Sequence, residues 1–264
     1  MCEHVVDSDD DEPVSPTAGG TRRLDDRVLL ARLGRTEAVT TQLAVASGPD
    51  DRSYPRSVAR YLDVHPTDPQ PRAVAQVVRM LREQDALLAY PTDSGYALGF
   101  TLDSTTGRDR VRRIRQLDDR HHFSLVCAEF AQLGQFVHLS NSAFRAVKAA
   151  TPGPYTFILP ATREVPRRLA HPRKRTVGVR IPDHPFVSVL LRELGEPLVS
   201  STLMLPGSDV VMTDGWEVKE TLEHQVDVVV DAGECSGRPT TVVDWSDDVP
   251  QVVRVGAGDP TRFE

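Results

Sequence analysis

Hydroxyl and guanidinium side chains recur in this sequence where strand-like runs end. Pro91-Thr-Asp-Ser-Gly-Tyr96 follows the run Ala86–Tyr90, and Ser200-Ser-Thr202 follows Leu198-Val199. Arg180 rides on the run Val177–Ile181, Arg254 follows Val252-Val253, and Thr240-Thr241 opens a further run. In α/β sheets, ligands gather where strands end. Arginine grips phosphate and carboxylate groups in a two-pronged way, and hydroxyls fill the lone pairs that remain. Together these residues suit a ligand that carries both phosphate oxygens and a carboxylate. Taken singly, each hydroxyl suits a turn or a cap equally well, and Arg180 suits a structural ion pair.

The charge pattern adds to this. The chain has 264 residues and a formal net charge of −7, with 31 Lys and Arg against 38 Asp and Glu. Arginine is nevertheless concentrated in two places, Arg108–Arg120 and Arg163–Arg180. An acidic protein that gathers arginine locally offers a site to an anion such as a nucleotide or an RNA backbone. The same stretches also fit solvated faces of a helix and a loop.

The elements that must position these residues begin near residue 58. Residues 1–57 read as a disordered extension: Asp9–Gly20 is acidic, then rich in Pro, Ser and Gly, and buries too little apolar surface to order itself. Arg27–Leu33 is compatible with a short helix. From residue 58 to 264, strand and helix patterns alternate, which defines the α/β class, and no linker interrupts them. Helices are expected over 71–82, 108–116, 142–150 (with Ser140 or Asn141 as its cap), 186–194 and 215–222. Strands are expected over 86–90, halted by Pro91, and over 124–128, 155–159, 177–181, 198–201, 226–230, 241–243 and 252–255.

Several classes of chemistry lack their signatures. There is no GxxxxGK[ST] loop, no GxSxG elbow and no HExxH pair. Gly256-Ala-Gly258 follows a strand, but no helix comes after it to hold a pyrophosphate. Cys2, Cys127 and Cys235 form neither a disulfide framework nor a CxxC pair, which points to a reducing cytoplasm. The histidines lack metal-ligand spacing, so no tightly bound metal is expected. Apolar runs such as Val228–Val230 fall far short of a membrane span, and the acidic N-terminus is unlike a secretory signal.

Six blocks then form a recognisable set. They are Tyr90-Pro-Thr-Asp-Ser-Gly-Tyr-Ala-Leu-Gly99, Arg113-Ile-Arg-Gln-Leu117, Thr151-Pro-Gly-Pro-Tyr-Thr-Phe-Ile-Leu159, Val177-Gly-Val-Arg-Ile-Pro182, Ser200-Ser-Thr-Leu-Met-Leu-Pro-Gly207 and Thr240-Thr-Val-Val-Asp244. In this order they resemble the YrdC/YciO family, with its threonylcarbamoyl-AMP synthase fold, and the YciO branch above the synthase branch. The resemblance implies one YrdC-like domain, a twisted mixed sheet with flanking helices and a basic concave groove. It also implies a reaction. L-threonine takes up bicarbonate as a carbamate, which attacks the α-phosphate of ATP to give threonylcarbamoyl-AMP and pyrophosphate for tRNA modification. Mg2+ would accompany the ATP, held mostly by phosphate oxygens and water.

By the same resemblance Thr92 lies where the family binds threonine, and Arg115 at the lysine of a K-x-R nucleotide motif. Thr156 and Thr202 lie at nucleotide-site hydroxyls, Thr240 beside the amino acid, and Arg254 at a phosphate-facing arginine. Arg180 falls within a family block. Two motifs depart from the pattern. Leu117 stands where K-x-R has its arginine, and Met204 where an S-x-N motif has its amide. A methionine cannot make the hydrogen bonds of an amide. Arg120, His121 and His122 follow closely and are candidates to replace the lost cation. With both motifs altered and two arginine-rich stretches present, a second reading is an RNA-binding module, for double-stranded RNA, tRNA or rRNA, that keeps the groove without catalysis.

Overall fold

A computed structural model describes residues 58–118, 121–247 and 249–263. The expected extension over 1–57, the short helix at 27–33 and Arg120 lie outside the described residues. The elements run β1 (Arg60–Asp63), α1 (Pro71–Glu83), β2 (Leu88–Thr92), β3 (Gly95–Thr101), α2 (Gly107–Arg115) and β4 (Ser124–Val126). They continue with α3 (Phe130–Phe136), α4 (Asn141–Ala150), β5 (Tyr155–Pro160), β6 (Thr176–Arg180), α5 (Pro185–Leu194) and β7 (Leu198–Thr202). Last come α6 (Gly215–Leu222), β8 (Val228–Asp231), β9 (Thr241–Asp244), β10 (Gln251–Arg254) and a short 3-10 turn at Pro260–Phe263.

All ten strands among the described residues join one mixed sheet, in the order β1-β8-β2-β3-β7-β4-β6-β5-β9-β10. Its strands alternate between two apolar layers. On one face Leu88, Tyr90, Val126, Leu198, Val228 and Val230 pack under α1 and α5. Pro71 and Pro185 open those two helices at a position where the missing N–H costs nothing. On the other face Ala89, Leu125, Phe157, Val179, Val199 and Val229 pack under α2, α3, α4 and α6. Ser140 rather than Asn141 caps α4, its Oγ accepting from the Ala143 N–H at 3.3 Å.

Three departures from expectation have physical causes. Pro91 does not halt β2, because β8 pairs with β2 only at Leu88 and Ala89. Beyond those residues one edge of β2 needs no donor, so a proline fits. β3 was not expected, since Gly95 and Gly99 weaken the strand pattern of Gly95–Thr101. Both glycines are required by close packing: a Cβ on Gly99 would come 2.7 Å from the Tyr90 ring, and one on Gly95 2.3 Å from Val211. The helix α3 is short, carries Gly134 in its second half and has no side-chain cap, which hid it.

The helices leave part of the sheet open. Helices α1 and α5 cover the part of their face built on β1, β8, β2 and β3, together with Leu198 of β7 and Val126 of β4. The residues that β7, β4, β6 and β5 place on that same face, beyond the reach of those helices, are small or hydroxylated: Ser200, Ser124, Thr176, Gly178 and Thr156. That uncovered half is where the sequence places its chemistry.

Candidate functional site

A cavity of about 530 Å3 occupies the open half. Register builds its floor. Ser124 stands opposite Ser200 on one side and Gly178 on the other, and Gly178 stands opposite Ile158 on β5. At Gly178 the sheet presents bare backbone, and a Cβ there would sit 2.7 Å from Ser124 Oγ. From β7 to β9 the floor crosses four strand spacings, or roughly 19 Å at about 4.8 Å each. That breadth is enough for two ligands side by side.

Six of the seven residues singled out in the sequence line this one cavity: Arg115, Thr156, Arg180, Thr202, Thr240 and Arg254. Thr92 does not. It is buried at the β2–β3 turn, where Oγ1 donates to the Gly95 carbonyl at 2.6 Å and accepts from the Ser94 N–H at 3.2 Å. Its hydroxyl closes a hairpin, and it reaches the cavity wall only through Ser94, which accepts from Arg180 Nη1 at 3.3 Å. Arg180 holds a buried ion pair with Asp93 and also faces the cavity. The structural role and the lining role therefore coexist in one side chain.

The other two arginines differ from Arg180. Arg254 donates from Nε and Nη2 to the Thr240 carbonyl at 3.1 and 3.0 Å, and from Nη2 to Thr240 Oγ1 at 3.0 Å. Thr240 Oγ1 in turn meets Thr156 Oγ1 at 2.9 Å, which ties three predicted residues into one donor group. At the opposite wall Arg115 comes over from α2 and donates from Nη1 to Ser201 Oγ and from Nε to the Met204 carbonyl. Burial pushes the pKa of both guanidiniums down, and nearby Arg180 adds to the effect on Arg254. Among the described residues neither is ion-paired. Each is a partly desolvated charge held by neutral groups, which favours an anionic ligand.

His121 sits against Arg115, with Nε2 at 3.1 Å from Ser201 Oγ and 3.4 Å from Arg115 Nη1. Burial, and then the Arg115 charge, push its pKa down to about 4. The imidazole is therefore neutral at pH 7, so His121 does not supply the replacement cation anticipated beside Leu117. Leu117 itself packs against the apolar core. Met204 does line the cavity, and its backbone carbonyl serves Arg115 while its side chain offers no amide.

Sequence reasoning missed several lining residues, among them Lys174, Asp244 and Ser124. Lys174 lay inside the second basic stretch and is a further cation of the site, its Nζ 3.9 Å from Asp244 Oδ2. That carboxylate is the one acidic side chain among the described lining residues. Among the described residues no group of three or more His, Cys, Asp or Glu is placed to hold a metal. No described helix is long and apolar enough to cross a membrane.

The fold and this basic, hydroxyl-lined cavity define a class. The family described as Sua5/YciO/YrdC, telomere recombination, matches residues 80–256, and the chain belongs to it. YciO of Escherichia coli K12 is 45% identical over 206 residues, covering 78% of this chain and all of that one. Its crystal structure superposes with a TM-score of 0.75 over the same share of both chains. A threonylcarbamoyl-AMP synthase of Vibrio vulnificus is 33% identical over 158 residues, 59% of this chain and 83% of that one. The structure of P. abyssi Sua5 complexed with L-threonine shares the fold at a TM-score of 0.68 and 24% identity, over 74% of this chain and 57% of that one.

Proposed function

We propose that the cavity binds ATP and an amino-acid carbamate side by side and joins them as a mixed carbamoyl-adenylate, with threonine as the amino acid. The observation that carries this reading is the pair Arg115 and Arg254, two desolvated guanidiniums with neutral partners at opposite walls of one hydroxyl-lined cavity. The likeness to the Vibrio vulnificus threonylcarbamoyl-AMP synthase supports it.

The chemistry asks for little covalent help from the protein. The amine of threonine condenses with bicarbonate, losing water, to give a carbamate. A carbamate oxygen attacks the α-phosphorus of ATP, the bond to the bridging oxygen breaks, and pyrophosphate leaves. Such a step is accelerated by positioning and by cations that meet charge as it develops. Arg115, Lys174 and Arg254 supply the cations, and Thr156, Ser201, Thr202 and Thr240 supply hydroxyl donors in fixed places. Mg2+ enters with the ATP as part of the substrate. The one carboxylate among the described lining residues, engaged by Lys174, suits an ion held by phosphate and water better than a protein cage.

The test is pyrophosphate release from ATP in the presence of threonine and bicarbonate. Release that needs all three, and that falls in Arg254→Ala, is the expected result. No release above a protein-free blank, with a panel of amino acids tried, contradicts the reading.

A further inference from the structure

We propose that a second cleft, walled off from the cavity by His121, His122 and Phe123, is a separate binding site for phosphate oxyanions. It has a volume of about 330 Å3, and Arg108 and Arg112 of α2 face Arg167 and Arg168 of the β5–β6 connection across it. The two arginine-rich stretches of the sequence, far apart along the chain, thus converge on one feature. The nucleotide site proposed above uses none of these four arginines.

The surroundings of the cleft favour an anion. Among the described residues that line it none is acidic. Arg168 donates to the Leu102 carbonyl, a neutral partner, which leaves the rest of its fork for a ligand. Arg167 is exposed and makes no hydrogen bond or ion pair among the described residues. Arg108 reaches Asp109 at 3.3 Å on the surface, where such pairs contribute little. Arg167 and Arg168 stand next to each other with Arg108 across the cleft, and a multiply charged phosphate group with paired acceptor oxygens suits that gathering of guanidiniums. The partition is built of ring contacts: the His122 ring lies 4.7 Å from that of His171, and His121 is edge-on to Phe123 at 5.5 Å. A ligand in the cleft therefore abuts the nucleotide cavity without filling it.

Two sources present this chemistry, free pyrophosphate and the phosphodiesters of an RNA chain, and one experiment separates them. Wild-type protein and the double variant Arg167→Ala/Arg168→Ala are titrated calorimetrically with pyrophosphate and with a short single-stranded oligoribonucleotide. ATP affinity and the thermal midpoint are measured alongside. Both substituted residues are exposed, and Arg108→Gln probes the facing wall independently. The expected result is a loss of about tenfold or more for at least one probe, with ATP affinity unchanged. Loss confined to pyrophosphate assigns the free anion. Loss confined to RNA assigns the phosphodiester, and the slope of log affinity against log salt then flattens by about 1.4 for two contacts. Wild-type protein that binds neither probe, or variants that bind both within about twofold of wild type, overturns the proposal.

Discussion

Arg254 directs two of its N–H groups to the Thr240 carbonyl and one to the hydroxyl that Thr156 shares. A lysine has no planar fork and cannot reproduce that arrangement. Arg254→Lys is therefore expected to bind ATP nearly as poorly as Arg254→Ala, each weaker than wild type by about 10- to 100-fold, the range for a hydrogen bond to a charged group. Titration calorimetry checks this. His121 gives a residue-scale test of stability. Its pKa lies near 4 when folded against an ordinary 6.5. Between those values the unfolded chain binds a proton that the folded protein refuses, so stability rises with pH across the window. The contribution is fully present above 6.5 and is lost as the pH falls toward 4. A glutamine at this position carries no such proton, so the thermal midpoint of His121→Gln is expected to drop less than that of wild type between pH 6.5 and 4. Parallel curves would contradict the assignment.

At the scale of elements, α6 is tied to the sheet by close approach. Gly215 opens the helix where a Cβ would come 2.4 Å from Tyr96 Oη and 2.5 Å from Asp231 Cγ. Asp231 is already engaged by Tyr61 at 2.5 Å and by the Gly233 N–H at 2.8 Å, so it has little room to move. Gly215→Ala is expected to lower stability by about 1–3 kcal/mol through overpacking, read from urea unfolding. An unchanged midpoint would show that the contact relaxes freely. Much at this scale was legible in advance. Helices α1, α5 and α6 fell within one or two residues of expectation because their apolar periodicity and their proline or aspartate starts agree. What was hidden was hidden by tertiary causes. Strand β3 looks too rich in glycine until its contacts with Tyr90 and Val211 are known. That Thr92 sits behind the cavity wall, at the β2–β3 turn, follows from hydrogen bonds to Gly95 and Ser94 that its residue type alone does not announce. His121 reads as a spare cation until burial beside Arg115 is seen to neutralise it.

Across the described residues, two apolar layers share a single ten-stranded sheet, so neither layer can come apart without exposing the other. Phe157 and Phe186, one from each layer, are both fully buried. Their alanine variants are each expected to lose about 3–5 kcal/mol. Unfolding should remain one transition in each, with fluorescence and circular dichroism tracing the same curve. A variant that melts in two steps would show that the layers are separable. The same arrangement explains the site. A helix-covered part anchors the sheet in the core, and an uncovered part leaves Gly178 and short hydroxyls to line the cavity. The hydroxyl and guanidinium residues were visible in the sequence, while their convergence on one cavity depends on a strand order that local patterns do not encode.

The most direct test of the cavity's role is calorimetric titration of the full chain with ATP, with and without threonine and bicarbonate. Saturable ATP binding that tightens when the other two are present, and that is lost in Arg254→Ala, is the expected result. Heats of ATP binding that are absent, or that persist unchanged in Arg254→Ala, would contradict it.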